Sequence, residues 1–131
     1  MMNGKKEGQG TLVYRHGEIY QGVWKNGFKE GEGVWILNDG TIINGFWLNN
    51  QLQPHVEIKF ANGDFYKGEV KSTISGELKF HGRGILKSHT GDTYQGDFKE
   101  GLREGYGKYS YKDGANYEGY WVRGKKGKIQ R

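Results

Sequence analysis

The sequence contains no cysteine and a single proline, Pro54, in 131 residues. Without thiols it has neither a disulfide framework nor a thiolate metal site, and a reducing compartment, the cytoplasm, is the expected setting. No apolar run approaches the roughly 20 residues that cross a bilayer as a helix. The opening residues Met1, Met2, Asn3, Gly4, Lys5 and Lys6 lack the apolar stretch of a secretory signal, so a soluble, unsecreted chain is expected. Excess charge is also modest: a formal net charge of +5 falls short of a nucleic-acid footprint, and no nucleic-acid partner is expected. At this length one architecture must explain nearly the whole chain, without a catalytic domain beside it.

What is abundant is glycine, with 24 residues, together with 4 Trp, 9 Tyr and 6 Phe. Glycine-rich disordered chains are poor in aromatics, because they cannot bury enough apolar surface to offset chain entropy. Regular turns are the better explanation. Tyr20, Ile43, Tyr66, Tyr94 and Tyr117 recur at intervals of 23, 23, 28 and 23 residues. Two residues after each stands Gly22, Gly45, Gly68, Gly96 or Gly119, and two further on Trp24, Trp47, Val70, Phe98 or Trp121. Gly27, Gly101 and Gly124 share a slot. The pairs Gly8/Gly10, Gly31/Gly33, Gly82/Gly84 and Gly105/Gly107 keep phase, as do Gly17, Gly40, Gly63, Gly91 and Gly114. The 28-residue interval marks a five-residue insertion between Val70 and Gly82.

Each unit reads as a β-hairpin. From Gly33 to Trp47, two β-prone segments flank Asn38-Asp39-Gly40. Side chains alternate along a strand and paired residues share a face, so pairing Trp35 with Ile43 and Gly33 with Gly45 places the Leu12/Trp35/Ile58/Leu86/Tyr109 slot beside the Tyr slot. That register leaves a three-residue type I turn whose last residue needs positive φ, which explains the glycine there in all five units. Five hairpins are expected at about residues 9–24, 32–47, 55–70, 83–98 and 106–121, within an array over residues 1–124, with the insertion in 71–81 and a basic tail at 125–131. The fold class is all-β: a single elongated, twisted antiparallel sheet of about ten strands.

This pattern of Tyr-x-Gly-x-Trp, Gly, Gly-x-Gly and Gly at period 23 resembles the MORN (membrane occupation and recognition nexus) repeat family from residue 4 to about 124. The second unit departs from it with Ile43 for Tyr and with Pro54 and Val56 for Gly-x-Gly. The third departs with Val70 for Trp and carries the insertion, so an irregular centre is expected. The resemblance implies a scaffold of ciliary or flagellar assemblies such as radial spokes, of the cytoskeleton, or of membrane junctions.

No catalytic constellation is legible. The Gly-x-Gly pairs lead into strands, whereas phosphate-binding loops open onto a helix N-terminus. His16, His55, His81 and His89 lack ligand spacing, with His16 and His89 at turn tips. Convergence of His55, His81 and Glu77 is the one arrangement that would revive an enzyme reading. Glu30, Glu32, Glu100 and Glu104 read as a solvated surface among lysines. The chain is expected to be no enzyme and to use neither cofactor nor metal.

The aromatic rows therefore carry the functional expectation. A single-layer sheet offers no second layer to bury them, and an apolar surface of that extent marks an interaction site. Tyr20, Trp24, Trp35, Trp47, Tyr66, Tyr94, Phe98, Tyr109, Tyr117 and Trp121 are the expected anchors for a helix or extended peptide of a partner in a multiprotein assembly, or for a second copy forming a homodimer. The alternative is weak contact with anionic membranes through Arg123, Lys125, Lys126, Lys128 and Arg131.

Overall fold

A computed structural model describes residues 5–127. The described residues form twelve strands and no helix, every ladder antiparallel, in agreement with the all-β hairpin architecture. The chain divides into two compact units, Met1–Ala61 and Asn62–Arg131. In the first, β1 (Gly8–Val13), β2 (Ile19–Lys25), β3 (Phe28–Ile36), β4 (Ile42–Leu48) and β6 (His55–Lys59) lie in that order, with the two-residue β5 (Gln51–Leu52) paired to β4. The second runs β7 (Phe65–Ser72), β8 (Leu78–Lys87), β9 (Thr93–Lys99), β10 (Leu102–Ser110), β11 (Asn116–Val122) and β12 (Lys125–Lys126). Lys125 and Lys126, read from the sequence as the start of a basic tail, instead form β12 against Val122 and Trp121.

The expected register is present: Trp35 pairs Ile43 and Gly33 pairs Gly45. At the tip the Leu37 N–H donates to Thr41 O at 2.8 Å and the Gly40 N–H to Leu37 O at 3.0 Å, with Gly40 at φ 95°. This is the three-residue turn with a left-handed glycine. The insertion is no irregular loop but a longer hairpin. Lys71 pairs Lys79 and Ser72 pairs Leu78, and the Thr73 N–H reaches Glu77 O as in the repeat turns.

Successive hairpins are joined by two-residue turns. Asn26-Gly27, Asn49-Asn50, Glu100-Gly101 and Arg123-Gly124 all have positive φ at both residues, the type I′ geometry that matches strand twist. A side chain one repeat away completes each. Glu7, Glu30, His81 and Glu104 accept the N–H of Asn26, Asn49, Glu100 and Arg123 respectively. At the opposite end, Thr41, Asp64 and Asp92 accept the N–H of Ala61, His89 and Lys112 in the following turn. The His89 contacts hold the Asp64 carboxyl below its ordinary range, and the Tyr109 hydroxyl and the Lys112 N–H do the same for Asp92.

Candidate protein-binding face

The two glycines of Gly-x-Gly serve different purposes. Gly31, Gly82 and Gly105 take positive φ near register shifts between neighbouring strands, a backbone requirement. Gly33, Gly84 and Gly107 provide space. Each repeat tyrosine lies along its own strand, its hydroxyl donating to the carbonyl three residues on: Tyr20 to Val23 O (3.2 Å), Tyr66 to Glu69 O (2.6 Å), Tyr94 to Asp97 O (2.8 Å) and Tyr117 to Tyr120 O (3.1 Å). In that pose the first three rings also cover the glycine of the neighbouring strand. A Cβ on Gly33 would lie 2.6 Å from Tyr20 Cε1, and one on Gly107 2.5 Å from Tyr94 Cε1.

The rows thus bury themselves without a second layer. Tyr20 packs edge-on against Trp24 (5.2 Å) and Trp47 (5.0 Å), and Tyr94 against Phe98 (5.0 Å) and Trp121 (5.5 Å). Such pairs each contribute about 0.5–1.5 kcal/mol beyond area burial. Tyr20, Trp24, Trp47, Tyr66, Tyr94, Phe98 and Trp121 are all buried, at most 4% exposed. This overturns the premise that nothing in the chain covers them: these seven are core, and a partner does not reach them without opening the fold. Burial raises the Tyr20 phenol above its ordinary pKa and pushes Tyr94, with the Asp97 charge adding, up to about 12.

Three expected anchors remain half-exposed: Trp35, whose indole donates to Glu18 Oε1 at 2.9 Å, Tyr109, whose hydroxyl donates to Asp92 Oδ2 at 2.7 Å, and Tyr117. Tyr14, beside the Tyr20 cluster, and Tyr111, tilted on Tyr109, are half-exposed too and were not singled out from the sequence. Of the basic residues, Arg123 is exposed in a turn, Lys125 and Lys126 lie in β12, and Lys128 and Arg131 fall outside the described residues.

The most informative addition is a further repeat slot at Lys6, Lys29, Leu52, Phe80, Arg103 and Lys126. It keeps the 23- and 28-residue intervals but not one residue type. Phe80 stacks on Tyr66 at 4.0 Å and Leu52 packs against the Tyr20 cluster. Lys29 Nζ sits 5.2 Å from the Tyr20 centroid and 5.1 Å from that of Tyr14. Arg103 Cζ lies 4.6 Å from Trp121 and 5.2 Å from Tyr109, and Lys126 Nζ 5.0 Å from Tyr117 and 5.2 Å from Tyr111. This slot roofs the aromatic rings, and its cations form the rim of the face.

The MORN repeat family model matches residues 1–18, 20–42, 79–93, 94–115 and 117–128. The chain belongs to the MORN repeat family. The matched segments leave out 43–78, where Ile43, Pro54, Val56, Val70 and the insertion stand. MORN arrays are protein- or membrane-binding repeat modules of cytoskeletal and membrane-associated proteins, and are generally non-catalytic. The array is also similar to alsin from rat and from human, each 44% identical over 52 residues, covering 36% of this chain. The matched segment spans 3% of those relatives' length. Among the described residues no three His, Asp or Glu side chains gather as a metal site, and no helix is long and apolar enough to cross a membrane.

Proposed function

We propose that this MORN array is a non-catalytic scaffold that seats a helical or extended segment of a partner protein on the aromatic face, within a ciliary or flagellar radial-spoke-like assembly or a cytoskeletal one. The observation that carries the reading is the rim of the face in each unit: half-exposed Tyr14 and Trp35 in the first, and Tyr109, Tyr111 and Tyr117 in the second, beside cations already fixed over rings. Aromatic side chains and arginine are the groups that dominate protein interfaces. The kind of assembly is supported by family resemblance alone.

Capture from ciliated-cell extract, comparing wild type with a Tyr14→Glu/Tyr111→Glu variant of unchanged circular dichroism, tests this reading. Loss of a defined partner set in the variant supports it; equal capture by both overturns it. The alternative, an anionic-membrane module using Arg123, Lys125 and Lys126, predicts salt-sensitive binding to phosphatidylserine vesicles.

A further inference from the structure

The rim cations are set apart by the rings beneath them, Lys6 Nζ standing 5.1 Å from the Trp24 centroid. Arg83 on the opposite face pairs Asp97 at 3.1 Å, and Lys71 pairs Glu100 at 2.5 Å. No carboxylate of the described residues pairs with Lys6, Lys29, Arg103 or Lys126. Arg103 donates from Nη2 to Gly124 O at 2.7 Å, while its Nε is buried without a hydrogen-bond partner. Their backbones are pinned, since the carbonyls of Lys6, Lys29 and Arg103 accept turn N–H groups of Gly27, Asn50 and Gly124. Four cations therefore stand over rings with no carboxylate partner among the described residues.

Their spacing selects a shape. Arg103 on β10 and Lys126 on β12 lie to either side of β11, about 10 Å apart measured across the strands at about 4.8 Å a step. Lys6, just ahead of β1, and Lys29 on β3 are equivalent positions one repeat apart, to either side of β2. An α-helix rises about 1.5 Å per residue, so side chains seven apart stand about 10.5 Å apart on one face. An extended strand does not match: its same-face residues fall every ~6.7 Å.

Resting on the protein-binding reading above, we propose that the occupant of the aromatic face is an acidic amphipathic helix lying across the strands. Its Asp or Glu residues, seven apart, meet the two rim cations of one unit, Arg103 and Lys126 or Lys6 and Lys29, while apolar residues between them contact the half-exposed tyrosines of that unit. Charge-assisted pairing to guanidinium and ammonium supplies the recognition.

The test uses synthetic helical peptides and fluorescence anisotropy with the whole chain. One peptide carries Glu at i and i+7 with Leu at i+3 and i+4, a second replaces Glu by Gln, and a third moves one Glu to the far side. The first is expected to bind about tenfold more tightly than the other two and to weaken with salt. Lys126→Met, which keeps the apolar stem over Tyr117, should reduce its affinity several-fold, and Lys29→Met serves if that variant does not fold. Equal binding of the Glu and Gln peptides overturns the acidic-helix proposal while leaving a protein-binding face. Binding of no peptide, with capture of phosphatidylserine vesicles, overturns both readings in favour of a membrane. Self-association that blocks the peptides overturns the acidic helix in favour of a second copy.

Discussion

Tyr20 and Ile43 occupy the same slot of neighbouring repeats and are equally buried, at 1% and 2% exposure, yet they are buried by opposite means. Tyr20 reaches across to the next strand, and that strand must present Gly33. Ile43 is too short to reach, and the slot of Gly33 holds Val56, itself buried, with Leu52 filling the space above Gly45. Residue size is exchanged between strands so that the sum stays near constant, as close packing demands. The neighbouring Pro54 cannot take the positive φ of Gly31, Gly82 or Gly105, and the strand is interrupted there, between β5 and β6. What reads in the sequence as an irregular repeat is a compensated one.

The sharpest way to break this comparison is to put the valine where a tyrosine already lies. Gly107→Val should cost about 3 kcal/mol in urea denaturation, because its Cβ meets the Tyr94 ring, itself wedged between Phe98 and Trp121. Converting the compensated repeat to the regular form comes next. Ile43→Tyr and Val56→Gly should each destabilise by about 2 kcal/mol, and the double variant should fall short of their sum by at least about 1 kcal/mol. Additive losses would refute the exchange. Tyr94→Phe leaves ring and glycine in place and removes only the bond to Asp97 O, for an expected loss of about 1 kcal/mol.

The smallest effect is one of pH. Tyr94 and Tyr20 have raised folded-state pKa values, so the unfolded chain loses its phenol protons first. Their stabilisation is complete below pH ~10 and is lost as pH rises toward about 12 for Tyr94. The denaturation midpoint should fall across that window, and less steeply in Tyr94→Phe.

Period, hairpin register and turn type were legible because each rests on one residue type at a fixed interval: Gly40 and its equivalents need positive φ, and no other residue supplies it so readily. The roofing slot was not, since Lys6, Leu52, Phe80 and Arg103 share a volume and a place rather than a chemistry. Glu30 and Glu104 read as solvated surface and Glu7 carried no signal, because their bonds to turn N–H groups depend on loops folding back by one repeat. Self-burial of the rings was missed for a related reason. Treating a sheet face as a flat surface ignores that glycine leaves a hollow where a phenol can lie.

Acrylamide quenching of tryptophan fluorescence in a Trp35→Phe variant, at concentrations where the chain is monomeric, tests that self-burial most directly. Trp24, Trp47 and Trp121, at 3–4% exposure, should then be quenched far less than in the urea-unfolded chain. Quenching close to that of the unfolded chain would show that the aromatic face lies open in the monomer and contradict the ring-over-glycine core.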